Sequence, residues 1–327
     1  MVGINIMEEK LQQIMLENQA LFSKLAGTKK KANKIILPLI IIVAIITAIY
    51  SLIHKDEAEF IIIAVAIAVV IIGILLIIRY NIINEQNKKF KQQVIPAILS
   101  AIDTSFKYNI NAGHTKQEFF DSDLYNKNIT DYESDNMISG MFGETSVKIS
   151  NIEATRVEEI EKVVERDGRR TTEIERHTYT VFKGIFMSLD FNKHFDGITK
   201  LHTRNVFFDG CEENMDTLFN NYEKLTIENQ DFNNQFDVIT TDIQNALYIL
   251  TPAFAELLLH LHQKINKGLG ICFKNGIMYV AFEKEKFLEV DNGLDYESNM
   301  KLIYKEIANK LNIVDDLQLN NRIWTKE

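Results

Sequence analysis

The sequence predicts an α+β protein, a two-helix transmembrane hairpin followed by a mixed domain of antiparallel hairpins and helices. Three observations predict it. Ile35 to Ile53 and Phe60 to Ile78 are runs of nineteen residues without a charge, only six residues apart. Beyond them, stretches rich in Thr, Val, Ile, Tyr and Phe meet at Asp-Gly and Asn-Gly pairs, which favour tight turns. Interspersed segments carry helical apolar spacing and caps. Strands paired through short turns, with the helices set apart from them, give α+β rather than an alternating βαβ order.

The division expected is 1–34, an amphipathic helix and basic flank; 35–78, the hairpin; 79–110, a juxtamembrane helix; and 111–327, the mixed domain. Met7, Leu11, Ile14, Asn18, Leu21 and Leu25 follow four-and-three spacing, a short heptad seam. That seam offers a route to a homo-oligomer; packing on its own chain or on a membrane face is the alternative. Gly27, Thr28 and Lys29 are expected to end this helix.

Each apolar run, at about 1.5 Å per helical residue, covers a hydrocarbon core of about 30 Å. Ile and Val favour strands in water, but a lipid-exposed strand leaves backbone groups unpaired, so the runs are read as helices. Pro38 falls in the first turn of the first span. Lys29, Lys30, Lys31 and Lys34 precede the first span, and Arg79, Lys88, Lys89 and Lys91 follow the second. The loop between holds Lys55 against Asp56, Glu57 and Glu59. The positive-inside rule then puts both termini in the cytoplasm of a multi-pass plasma-membrane protein, with the lipid bilayer its first partner.

After the second span, Phe90, Val94, Ile98, Ile102 and Phe106 share one helical face, with Pro96 expected to kink or divide it. Asn109 to Asn136 is polar and reads as loop with a short helix near Lys116 to Tyr125. Thr145 to Val164 and Arg170 to Phe191 read as a hairpin about Asp167-Gly168, charged at its tip and apolar at its base. Ile198 to Phe207 reads as a strand, Asp209-Gly210 as a turn, Asp216 to Tyr222 as a helix and Lys224 to Glu228 as a strand. Phe236 to Thr240 is a strand, and Ala246 to Leu250 is strand or the start of a helix. Thr251-Pro252 fits an N-cap and first helical position for a helix to Ile265. Leu269 to Phe273 and Ile277 to Phe282 form a hairpin about Asn275-Gly276. Tyr296 to Leu311 is a helix, and Val314 to Trp324 an irregular or extended tail.

The chain carries 36 Lys and Arg against 45 Asp and Glu, a net charge of −9. Residues 80–327 alone carry a net −11, which argues against nucleic acid as a partner. Cys211 and Cys272 form neither a Cys-x-x-Cys nor a zinc spacing and are expected as reduced thiols. No phosphate-loop, dinucleotide, G-x-S-x-G or H-E-x-x-H pattern occurs, so no cofactor and no catalytic residue is assigned.

One resemblance rests on quoted text: Gly184-Ile185-Phe186 before Asp190-Phe191-Asn192-Lys193, Phe236-Asp237-Val238 before Asp242, Tyr248-Ile249-Leu250-Thr251-Pro252, and the closing Ile313-Val314-Asp315-Asp316-Leu317-Gln318-Leu319-Asn320-Asn321-Arg322-Ile323-Trp324. With the two spans, this resembles the bacterial membrane family called domain-of-unknown-function 3137. The resemblance implies a membrane-anchored cytosolic domain, with LemA-type membrane proteins as genomic neighbours, and supplies no activity.

The metal candidate is His194-x-Asp196 with His202, bracketing the turn at Gly197 so that imidazoles and a carboxylate could converge. Arg322 and Trp324, the only Trp, are partner-binding candidates, with a latch onto the domain as the alternative. His260 and His262, two apart on a helix, point to different faces. The reading that emerges is a membrane-tethered interaction domain binding a protein or peptide, with a metal-assisted hydrolase or an accessory subunit of a transporter or envelope complex as alternatives.

Overall fold

The computed structural model describes residues 2–125, 128–166, 169–191, 195–204, 222–265 and 268–320. The chain forms two compact units.

The first unit contains Met1–Ala101 and Val290–Ile303. Its helices are α1 (Val2–Ile53) and α2 (Ala58–Ile102). Both are long and apolar enough to cross a membrane, and only 6% of the most apolar window of each is buried. Ile46, Ile62 and Val69 are each more than 60% exposed. Arg79 Nε donates to Asn33 Oδ1 at 2.8 Å, tying the two helices beside the apolar runs.

The expected break at Gly27-Thr28-Lys29 does not occur. A mid-helix glycine costs about 1 kcal/mol, which burial of Leu25 and Ala32 on either side offsets. Pro96 does not divide α2 either, and Val94, Ile95, Ile98 and Leu99 are buried on both sides of it. Of the heptad seam, Ile14 and Leu25 are buried within the one chain, and Asn18 Nδ2 donates to the Ile14 carbonyl at 2.8 Å.

The second unit contains Ile102–Glu289 and Tyr304–Glu327. Its order is β1 (Lys107–Asn109), α3 (Lys116–Asp121), β2 (Asp131–Phe142), β3 (Thr145–Arg166), β4 (Arg169–Asp190), β5 (Ile198–Thr203), β6 (Glu223–Leu225), α4 (Gln230–Gln235), β7 (Phe236–Thr240), α5 (Ile243–Ile249), α6 (Pro252–Ile265), β8 (Leu269–Lys274) and β9 (Ile277–Glu283). A last helix, α7 (Tyr296–Asp316), gives its first residues to the other unit. Among the described residues the strands form one nine-stranded antiparallel sheet, ordered β1-β2-β3-β4-β9-β8-β5-β7-β6.

Adjacent strand residues face opposite sides, so Cys272 and Phe273 mark the two faces. The Cys272 side also presents Phe182, Phe186 and Tyr279, covered by Phe119 of α3 with Leu124, Tyr125 and Ile129. On the Phe273 side, α6 packs Phe254 against Phe273 at 6.0 Å between ring centroids and His262 against Phe236 at 5.3 Å.

Asp131–Phe142 is a strand, and it begins inside the stretch expected as loop to Asn136. Its polar composition hides it, and a bulge between Asp135 and Ile138, with Asn136 at φ 56°, breaks the alternation. The closing stretch is not irregular from Val314 either. The helix runs to Asp316, and Val314, Leu317 and Leu319 are buried. The hairpin of β3 and β4 outruns the sheet. Its pairing with β2 ends at Thr155, and that with β9 begins at Gly184. From Arg156 to Arg166 the ladder pairs only within the hairpin, an arm of about 36 Å at 3.3 Å per residue.

Candidate functional site

Of the metal and partner-binding candidates, Asp196 and His202 lie among the described residues. His194 lies outside them, as do Cys211, Asp209-Gly210, Arg322 and Trp324. Asp196 is exposed ahead of β5. His202 sits opposite Asp237 and Gly270, four strand steps or about 13 Å beyond Ile198. The turn at Gly197 leads into β5, whose partners are β7 and β8 rather than β4, so it does not fold Asp196 back onto His202. Burial, and then Lys200, push the His202 ring down to about 4. No group of three His, Cys, Asp or Glu able to hold a metal occurs among the described residues. Cys272 is buried, and burial pushes its thiol up to about 12. Before Arg322, Asn320 Oδ1 accepts from the Glu144 N–H and the Thr145 hydroxyl, each at 3.0 Å, holding the chain to the β2–β3 turn.

One constellation escaped sequence reading. His114 Nδ1 lies 2.7 Å from Ser150 Oγ, and Nε2 lies 3.1 Å from Ser188 Oγ. The Tyr132 hydroxyl donates to the His114 carbonyl at 2.8 Å. Burial lowers the imidazole to about 4. A serine on an imidazole can be a nucleophile and its base. Here His114 and Ser150 are both within 1% of complete burial, so no substrate reaches the Ser150 hydroxyl, while Ser188 is half-buried. The cluster ties the segment before α3 to β3 and β4. A lone His in Gly113-His114-Thr115 carries no signal of partners 36 and 74 residues away.

A cavity open to solvent lies elsewhere in the second unit, between α6, α7 and the loop after β9, and holds about 540 Å³. Its floor is apolar: Ile185, Leu261, Ile265, Phe287 and Ile313. Charged groups ring that floor. Lys310 Nζ donates to Glu285 at 2.8 Å and lies 3.7 Å from the centroid of the Phe282 ring. Lys264 donates to Asp316 at 2.6 Å, and Lys286 lies 3.6 Å from Glu289. Glu306 is half-buried in the wall and accepts the Leu288 N–H at 3.0 Å. Burial raises its carboxyl above the ordinary range; Leu288 and Lys310 oppose the rise, and Glu285 and Glu289 add to it.

The loop that shapes this cavity is held in a costly conformation. Lys284 and Leu288 both have positive φ, 57° and 61°. A non-glycine residue in this region costs roughly 1–3 kcal/mol and persists where its surroundings fix it. The fixing contacts are present: Lys284 N–H to the Lys183 carbonyl at 2.8 Å, and Phe287 N–H to Asn151 Oδ1 at 3.0 Å.

The first unit holds its own polar junction. Asn292 Oδ1 accepts from Lys29 on α1 at 3.2 Å and from Asn87 on α2 at 3.1 Å. Four residues on, the Tyr296 ring lies 6.2 Å from Phe22 and 4.9 Å from Phe90. Segment 292–296 thus clasps the two long helices.

Against known proteins, the family model described as protein of unknown function (DUF3137) matches residues 180–319, and the chain resembles that family over this stretch. No curated protein matches. A solved structure described as the crystal structure of the mycobacterial trehalose monomycolate transport factor A is similar at 11% identity and a TM-score of 0.34, covering 69% of this chain and 93% of that one.

Proposed function

We propose that this chain is a membrane-anchored docking protein. In this reading α1 and α2 cross the bilayer over residues 35–53 and 60–78, and the α+β unit binds a protein or peptide at the inner face. The carrying observation is the outward apolar surface of the two helices. Side chains such as Ile46 and Ile62, 61% and 68% exposed, are stable facing lipid and not facing water. The lysines before the first run and the basic residues after the second, against an acidic connecting loop, favour cytoplasmic termini. The open cavity beside a strained, well-anchored loop supports binding, whereas His114 and Ser150 are sealed from solvent.

Two measurements test this reading. After alkaline carbonate extraction, the protein is expected to remain in the membrane pellet. Reporters fused after Glu327 and inserted at Asp56 are expected to sort oppositely, cytoplasmic and external. Release into the carbonate supernatant, or an external C-terminal reporter, overturns it. For docking, a photo-reactive p-benzoylphenylalanine in place of Lys286, at the cavity lip, is expected to cross-link one reproducible protein in cells. No adduct with any protein overturns the docking role.

A further inference from the structure

The base of the helical hairpin, away from its connecting loop, gathers positive charge without a counter-charge. Lys29, Lys30, Lys31 and Lys34 stand on α1, and Arg79 stands at the same end of the apolar run on α2. Neither helix has a carboxylate close by: α1 carries none over residues 18–53, and α2 none over 60–84. Two carboxylates of the clasp are turned to their own chain. Asp291 accepts the Gly293 N–H at 2.8 Å, and Asp295 the Ser298 N–H at 2.7 Å.

The five cations are not equivalent. Lys29 points inward, to Asn292 Oδ1 and over the Tyr296 ring at 4.4 Å from its centroid. Arg79 is half-buried, its Nε held on Asn33 Oδ1 at 2.8 Å. Lys30, Lys31 and Lys34 are exposed, and among the described residues none of them has an ion pair or hydrogen bond. Lys30 and Lys34, four residues apart, put like charges side by side on one face, which destabilises a helix until an anion joins them.

That face continues into the apolar run. Lys30, Lys34, Leu37, Ile41 and Ile45 follow four-three-four-four spacing and form one stripe, exposed throughout. From Lys34 to Ile45 the stripe is about 16 Å long at 1.5 Å per residue, close to half of a hydrocarbon core of about 30 Å. Asn33, which fixes Arg79, lies three residues from Lys30 and directly before Lys34, so the guanidinium is held at the charged end. A planar, pre-oriented guanidinium suits a phosphate better than a mobile ammonium does. Cations at one end and a single leaflet's depth of hydrocarbon at the other match an amphiphile with an anionic head. A soluble anion uses only the charged end.

We propose that α1 and α2 hold the phosphate of an anionic phospholipid on Lys30, Lys34 and Arg79, with an acyl chain along Leu37, Ile41 and Ile45. This rests on the bilayer-crossing part of the reading above and is independent of docking. The lipid neutralises the two lysines and fixes the depth at which α1 leaves the hydrocarbon.

The test uses the full chain in neutral detergent with added phosphatidylglycerol or phosphatidylcholine, and native mass spectrometry counts the bound lipid. Phosphatidylglycerol is expected to be retained at least about fivefold over phosphatidylcholine, the factor that one basic residue contributes at an anionic surface. Lys30→Gln/Lys34→Gln breaks no contact within the chain, so its thermal midpoint is expected to hold while the preference falls to within about twofold. Lys88→Gln/Lys89→Gln removes the same charge about 14 Å further along α2 from Arg79 and is expected to keep the preference. Inorganic phosphate is expected to leave the lipid in place. Equal retention of the two lipids by wild type, a preference intact in Lys30→Gln/Lys34→Gln, a preference lost equally in Lys88→Gln/Lys89→Gln, or displacement by inorganic phosphate overturns the proposal. Carbonate extraction separates the claims. Protein that stays in the pellet without a lipid preference keeps the anchor and removes the lipid site, whereas release into the supernatant removes both.

Discussion

Lys310 donates to Glu285 at 2.8 Å with both side chains largely buried, 11% and 14% exposed. The lysine also lies over the Phe282 ring, 3.7 Å from its centroid, so the ammonium is held between a carboxylate and an aromatic face. The pair bridges α7 and the loop after β9.

Removing one partner strands the other. Lys310→Met is expected to lower the stability of the domain by about 3–5 kcal/mol, because the buried Glu285 loses the lysine that faces it. The double variant Lys310→Met/Glu285→Leu is expected to recover most of that loss. Denaturant titrations of wild type, both single variants and the double variant give the cycle. A double variant as weak as Lys310→Met refutes the account of a stranded charge.

The buried imidazole of His114 makes stability depend on acidity. Its folded value of about 4 lies below the ordinary 6.5, so the unfolded chain takes up the proton first. Stability therefore rises with pH between those values, and the term withdrawn below pH 4 is of order 3 kcal/mol. Half-buried His202, also held at about 4, acts with the same sign, as does Glu118 at lower pH. Glu118 would rise on burial, but bonds from Lys148 and Thr115 hold it at about 2. His114→Gln is expected to be less stable at pH 7, having lost its fit to Ser150 and Ser188. Its stability should change less between pH 5 and 6.5, by about one proton in slope. Unfolding midpoints at closely spaced pH values measure this; an unchanged slope places the titration elsewhere.

The clasp in the first unit contains a hydroxyl with no hydrogen-bond partner among the described residues, that of Tyr296, whose residue is 4% exposed. Tyr296→Phe is expected to be neutral or to stabilise the unit by up to about 1 kcal/mol, since the ring contacts with Phe22 and Phe90 survive. Asn292→Ala removes the shared acceptor of Lys29 and Asn87 and is expected to cost about 1–3 kcal/mol. Thermal unfolding in detergent compares them, and a Tyr296→Phe loss larger than that of Asn292→Ala contradicts the assignment.

What the residues revealed in advance follows from how local each signal is. The β8–β9 hairpin was legible because Asn275 and Gly276 both take positive φ, 53° and 73°, as a two-residue turn of that pair requires. The start of α6 was legible from Thr251, whose hydroxyl accepts the Phe254 N–H at 3.3 Å. The apolar runs announced the long helices, but not their continuity through Gly27 and Pro96, which burial sustains. β2 was hidden because its pairing is carried by backbone groups rather than by apolar alternation. The cavity was hidden for a similar reason. Lys264, Glu285 and Glu306 each read as surface charge on their own segment, and only packing brings them to one cavity.

The β3–β4 arm, finally, behaves as an appendage with an adjustable length. The stretch matched by the family model begins at residue 180, almost where β4 rejoins the sheet at Gly184. Trimming the arm by equal, even numbers of residues from each strand keeps the pleat and the register, because side chains repeat every two positions. The sheet ladders beyond Thr155 and Gly184 would not feel the change. A change of length along the arm therefore stays within the arm, separate from the ladders that build the body of the sheet.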